Sequence, residues 1–173
     1  SIRTFSTRPP IRRNWPRNRG RSQVHDVMTP VQRRTAMTHN RGRTKPEKEL
    51  GRALWRAGLR YLTPAGFSRL AGRKLVGQPD LIWSRRRLVV FVDGCFWHGC
   101  PECKGIPRGS GEFWRTKIEQ NMARDRAVAA SLVKDGWVVV RIPEHALRTK
   151  ARFVRTTAAL VSFLRSTTSR AVA

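Results

Sequence analysis

The chain reads as a mixed α/β domain, on three observations. A capping box precedes a run of helical period, two β-rich runs flank an arginine-rich turn, and a third β-rich run lies between two further helical stretches. The first helix starts at Thr44, because Thr44-Lys45-Pro46-Glu47 has the T-x-x-E form with proline in the first turn. Leu50, Ala53, Leu54 and Ala57 recur at helical spacing, and Gly58 is placed to end the helix. Leu59 to Leu62 reads as a short strand. Asp80 to Trp83 and Leu88 to Asp93 form a hairpin joined by Ser84–Arg87. Gly94 to Ser110 is irregular. A second helix runs from about Gly111 to Asp135 and stops at Gly136. Trp137 to Ile142 is β-rich and ends at Pro143, and an amphipathic helix with Phe153, Leu160 and Leu164 closes the chain.

The 173 residues make one ordinary domain plus some tail. Thirty-six Lys and Arg against eleven Asp and Glu leave a formal charge of +25, the footprint of a protein whose partner is a polyanion, usually nucleic acid. No stretch approaches the apolar length that spans a bilayer. Residues 1–27 are rich in Arg, Ser, Pro and Asn and read as a disordered basic segment. Pro9, Pro10 and Pro16 would break the amphipathic helix of a transit peptide, and an upstream extension before a true start at Met28 is the preferred reading. The folded domain is expected over 28–165, with a disordered tail over 166–173.

All three cysteines lie in one short stretch, Cys95, Cys100 and Cys103, in the form C-x4-C-x2-C. Clustered thiols point to a reducing compartment and a metal site rather than a disulfide framework. Thiolates suit zinc, which needs a fourth ligand. His145 is the better one, because a distant ligand staples the loop to the fold, while His98 would add little closure. The alternative is three ordinary reduced cysteines.

Asp80 opens one strand of the hairpin and Asp93 ends the other. With the turn centred on Arg86–Arg87 they fall opposite each other, and two adjacent carboxylates favour a hard cation such as Mg²⁺ between them. Solvated strand-end acids are the alternative. His98 follows in the same loop and has a pKa suited to taking a proton from water. Asp125 lies on a helix face with Trp114, Ile118, Asn121, Val128 and Leu132, where a charge needs a partner. That partner is His98, or an arginine in a structural ion pair. Glu47 is explained by its capping box alone.

Several runs together resemble the very-short-patch-repair (Vsr) endonucleases. They are Val92-Asp93-Gly94-Cys95-Phe96-Trp97-His98-Gly99-Cys100-Pro101, Asn40 to Glu47, Gly77-Gln78-Pro79-Asp80, and Glu112-Phe113-Trp114 with Lys117-Ile118. Asn121, Arg124-Asp125-Arg126, Gly136-Trp137 and Glu144-His145-Ala146-Leu147 complete the set, in the family's order over roughly Met37 to Leu147. The resemblance implies a restriction-endonuclease-like fold, a central mixed sheet flanked by helices, with a structural zinc site. It makes Asp80 the catalytic Mg²⁺ ligand, assisted by the main-chain carbonyl of Val92, with Glu47 in contact with the metal's water shell. His98 becomes the water-activating base and Asp125 its orienting partner. Asp93 stands where the best-known members carry a histidine, so leaving-group assistance is open there and metal binding is the alternative. Cys95 and Cys100 fall on zinc-ligand positions, with Cys103 at or near the next and His145 in place of a cysteine. Gln78 replaces a frequent arginine. Phe96, Trp97 and Trp114 correspond to an aromatic wedge that enters the DNA stack.

The function so implied is a DNA endonuclease that nicks duplex DNA 5′ to the T of a T:G mismatch. It would act as a cytoplasmic, nucleoid-associated bacterial monomer, with a DNA cytosine methyltransferase as functional companion. Two rivals share the features: a restriction or defence nuclease of the same fold, and a non-catalytic zinc-stapled DNA-binding protein. Asp80, His98 and Asp125 argue against the second, since phosphate binding needs none of them.

Overall fold

A computed structural model describes residues 2–4, 43–100, 102–103 and 111–169. Its elements are β1 (Ile2–Thr4), α1 (Lys45–Arg56), α2 (Pro64–Ala71), β2 (Leu81–Trp83), β3 (Leu88–Asp93), α3 (Gly111–Lys134), β4 (Val138–Pro143) and α4 (Lys150–Ser169). The strands form one mixed sheet in the order β1-β4-β3-β2. β3 pairs antiparallel with β2 and parallel with β4, and β1 lies parallel on the far side of β4. This is the mixed α/β architecture that the periodicities indicate.

Alternation along the strands sorts the core into two layers. Leu88 and Val90 of β3 with Val140 and Ile142 of β4 pack against Leu50 and Leu54 of α1 and Leu160 and Leu164 of α4. Val89, Phe91 and Val139 face the other way, onto Phe67 of α2 and Ala129 and Leu132 of α3. Each fully buried aliphatic side chain contributes roughly 1.5–3 kcal/mol, so the two layers hold the sheet rigidly between helices. The candidate residues Asp80, Asp93 and His98 lie at or just beyond the end of the sheet where parallel β3 and β4 finish and β2 begins. Open α/β sheets characteristically bind ligands at the carboxyl ends of their parallel strands.

Several expectations need correction. The turn is a 3-10 turn, Ser84–Arg86, followed by Arg87 in the left-handed region at φ 47°. Trp83 pairs with Leu88 and Leu81 with Val90, so the hairpin is centred between Arg85 and Arg86 rather than on Arg86–Arg87. Asp80 therefore does not lie opposite Asp93; its amide donates to the Val90 carbonyl at 2.9 Å. Leu59–Leu62 is not a strand, and only Leu62 bridges to Ile82. α2 was not foreseen, although Thr63-Pro64 marks its start and the Thr63 hydroxyl accepts the Gly66 amide at 3.1 Å. Within the basic segment 1–27, Ile2–Thr4 forms a strand; residues 5–42 lie outside the described residues. α4 runs past residue 165 to Ser169, and the Ser166 and Thr167 hydroxyls donate back to the Phe163 and Leu164 carbonyls within it.

Candidate active site and metal centre

Asp80 is delivered by a strained turn. Gly77 and Gln78 both have positive φ, 74° and 51°, and a side chain at Gly77 would collide with Val128 of α3. Left-handed backbone at a residue other than glycine is costly and concentrates where a functional group must be aimed. The Asp80 carboxylate accepts the Val92 amide at 2.7 Å. Burial pushes its pKa up to about 7; the Val92 hydrogen bond opposes this, the charges of Glu47 and Asp93 add to it, and Arg43 opposes it. A half-buried acid with two further carboxylates nearby is short of positive charge, which fits a cation site.

Glu47 is buried, and both of its oxygens serve the capping box: Oε2 accepts the Thr44 amide at 3.1 Å and Oε1 the Thr44 hydroxyl at 2.6 Å. Arg43 closes the same corner by donating to the Glu47 carbonyl and the Tyr61 hydroxyl. The cap thus fixes a carboxylate close enough to Asp80 to raise its pKa.

His98 and Asp125 are joined through Nδ1 and a carboxylate oxygen. The loop after β3 brings His98 to the middle of α3, and Asn121 pins that loop by donating to the Trp97 carbonyl at 3.2 Å. A carboxylate on Nδ1 orients the ring and leaves Nε2 as the basic nitrogen. Although burial pushes Asp125 up, the hydrogen bond and charge of His98, then Arg141 and Arg124, hold it below the ordinary carboxylate range. Both partners foreseen for Asp125 are present, since Arg141 Nη2 stands 3.2 Å from it.

Arg141 is the residue that sequence reasoning missed. Its Nε and Nη2 grip Asp93 at 2.7 and 2.6 Å, so both oxygens of Asp93 are engaged. Burial lowers the Arg141 pKa, but Asp93 and then Asp125 outweigh this and raise it, so the guanidinium stays charged. The only signal was a lone charge inside the β-rich run 137–142.

Cys95, Cys100, Cys103 and His145 converge, with their ligand atoms all within 4.8 Å of one another. In a tetrahedral site with zinc–sulfur bonds of about 2.3 Å, ligand atoms stand roughly 3.8 Å apart, so this group could hold a metal ion. His145 Nδ1 faces Cys95 and Cys100 at 3.4 and 3.2 Å, while Nε2 meets Glu102 at 3.2 Å, the outer carboxylate that commonly orients a ligating imidazole. Burial, opposed by the His145 amide and reinforced by Cys103 and Cys100, pushes the Cys95 thiol up to about 12. Burial raises the Cys103 thiol as well, and two neighbouring thiols so reluctant to ionise alone fit a centre completed by a cation. His98, with its Nδ1 on Asp125, stands outside this group.

Phe96, Trp97 and Trp114 pack edge to face, with centroids 5.0, 5.2 and 5.7 Å apart. Trp114 is buried, whereas Phe96 and Trp97 are half-buried beside His98.

Residues 25–104 match the family described as DNA mismatch endonuclease Vsr. The type II nicking enzyme V.NmeDIP of Neisseria meningitidis serogroup C is 40% identical over 119 residues, 67% of this chain and 76% of that one. The type II nicking enzyme V.HpaIIP of Haemophilus parainfluenzae is 40% identical over 121 residues, 67% of this chain and 80% of that one. DNA mismatch endonuclease Vsr of Escherichia coli strain K12 is 35% identical over 129 residues, covering 73% and 76%. With this similarity spanning most of each relative, the chain belongs to the Vsr family of DNA endonucleases, hydrolases of the phosphodiester backbone.

Proposed function

We propose that this protein nicks duplex DNA 5′ to the thymine of a T:G mismatch by Mg²⁺-dependent hydrolysis. The observation that carries the reading is the His98–Asp125 pair at the same end of the sheet as the half-buried Asp80, which feels the charge of Asp93, itself 4.0 Å from His98. The relatives' names, two nicking enzymes and a mismatch endonuclease, support single-strand cleavage and the mismatch substrate. The sheet with helices on both faces is consistent with a restriction-endonuclease-like fold.

Asp80 and the Val92 carbonyl would hold Mg²⁺, with Glu47 fixed nearby by its cap. When bound, the cation withdraws charge from the phosphate and offsets the charge that develops on its oxygens. His98 Nε2 takes the proton of the attacking water, and Asp125 steadies the imidazolium so formed. Asp93, gripped by Arg141, serves the arrangement of the site rather than the leaving group. Cys95, Cys100, Cys103 and His145 would hold zinc, which would tie the loop after β3 to the turn after β4 and so fix His98 without joining the chemistry.

Phe96 and Trp97, braced on Trp114, form the wedge that opens the stack beside the lesion. A wobble pair lowers the cost of unstacking, so discrimination comes partly from DNA deformability. Deamination of 5-methylcytosine opposite guanine generates T:G, which makes a DNA cytosine methyltransferase the natural companion.

Asp80→Asn tests the assignment. It should lower Mg²⁺-dependent nicking by about 10²-fold or more while DNA binding is kept or tightened, because one repulsive charge is lost. Cleavage by Asp80→Asn at the unsubstituted rate would remove Asp80 from the mechanism.

A further inference from the structure

His98 has one Nδ1 and two carboxylates competing for it. Asp125 holds it, and Asp93 Oδ1 stands 4.0 Å away. All of these side chains are largely sequestered, at 24% exposure for His98, 16% for Asp93 and 17% for Asp125, so water does little to mute the competition. What decides it is the third charged side chain. β4 runs parallel to β3 with Arg141 level with Phe91, and strand alternation turns Phe91, Asp93, Val139 and Arg141 to the same side, facing α3. The guanidinium lies 5.1 Å over the Phe91 ring, grips both oxygens of Asp93, and leaves Nη2 3.2 Å from Asp125.

We propose that Arg141 is a positioning residue for cleavage: by occupying Asp93 and bracing Asp125, it reserves Nδ1 of His98 for Asp125 and so keeps Nε2 aimed at the reacting water. This rests on the His98–Asp125 assignment made above. A bidentate grip is what the task requires, because it uses both oxygens of Asp93 and fixes its plane. Without Arg141, Asp93 is an unpaired anion within reach of the imidazole. The ring then divides between two partners, only one of which gives the productive orientation. The account has an unusual consequence: removing the second carboxylate repairs the loss of the arginine.

The test measures single-turnover nicking of a T:G duplex, with DNA affinity measured separately. Arg141→Met should slow cleavage by about 10–100-fold, in the range seen when orienting partners are removed, with affinity kept within about threefold. Adding Asp93→Asn to Arg141→Met should recover at least half of the loss on a logarithmic scale. Arg141→Lys, which keeps the charge without the fork, should fall between Arg141→Met and the unsubstituted protein. If Arg141→Met does not fold, Asp93→Asn must instead accelerate Arg141→Lys. A double variant as slow as its arginine-substituted parent would overturn the inference, because a merely structural arginine is not rescued by deleting its partner. His98→Ala separates the two levels. Full activity of His98→Ala rejects the underlying dyad, whereas an inactive His98→Ala beside a fully active Arg141→Met rejects this inference alone.

Discussion

Asp80 carries the most informative ionisation in the molecule. Its ordinary pKa of 3.8 is raised to about 7, chiefly by burial. The sign follows from proton linkage: the folded state holds this proton more tightly than the unfolded chain does. Asp80 therefore costs no stability at low pH and progressively more as pH rises from about 4 to about 7. A cation reverses the cost by pairing with the ionised form. Nicking at limiting Mg²⁺ should thus fall as pH drops through about 7, and raising Mg²⁺ should move that midpoint to lower pH, because proton and cation compete for one carboxylate. A midpoint independent of Mg²⁺ would mean that another group limits the rate. His98 and Asp125 were legible at this scale because a loop histidine and a helix-face acid both needed a partner. Arg141 was not, because one arginine in a β-rich run looks the same whether it faces solvent or two carboxylates.

The two segments that leave the sheet at the ends of β3 and β4 do most of the assembling. One carries Cys95, His98 and Cys100; the other carries His145, and the Cys95 sulfur accepts the His145 amide at 3.2 Å. Cys100→Ser should lower bound zinc well below about one equivalent per chain and reduce the melting temperature with it, since a structural zinc contributes folding energy directly. Protein that contains no zinc yet melts at the same temperature and nicks normally would contradict this. The clustering of the three cysteines was readable because their spacing is a local signal, whereas His145 was singled out only as a distant residue able to staple the loop to the fold. The hairpin register was not readable. Ser84–Arg87 is the loop, as composition suggested, but a one-residue error in its centre moves every partner by two. α2 was passed over because its eight residues bury only Phe67, so its apolar stripe is faint beside its capping signal.

For the molecule as a whole, sequence and structure agree most closely where the hydrophobic pattern is strongest. α1, the hairpin, α3, β4 and α4 all stand near their expected bounds, because two buried layers leave those segments little choice. The strand at Ile2–Thr4 could not be read, since three residues in an arginine-rich segment carry no periodicity. The formal charge of +25 supplies affinity for any duplex, and an open groove of about 380 Å³ lined by Arg52, Arg56, Arg148 and Lys150 adds a basic surface between α1 and the start of α4. Such affinity weakens steeply with salt and is blind to sequence, so it says nothing about the lesion. In the mismatch reading proposed above, selectivity is assigned to Phe96 and Trp97 beside His98 and to the deformability of the mispaired step. The direct measurement is strand-resolved cleavage of end-labelled duplexes that differ only in carrying T:G or T:A at one position, with Mg²⁺ and at physiological salt. The expected result is a single nick 5′ to the mismatched T, on its strand only, with the matched duplex left intact. Equal cleavage of the two duplexes would contradict the mismatch reading and leave a nicking endonuclease that acts on paired DNA.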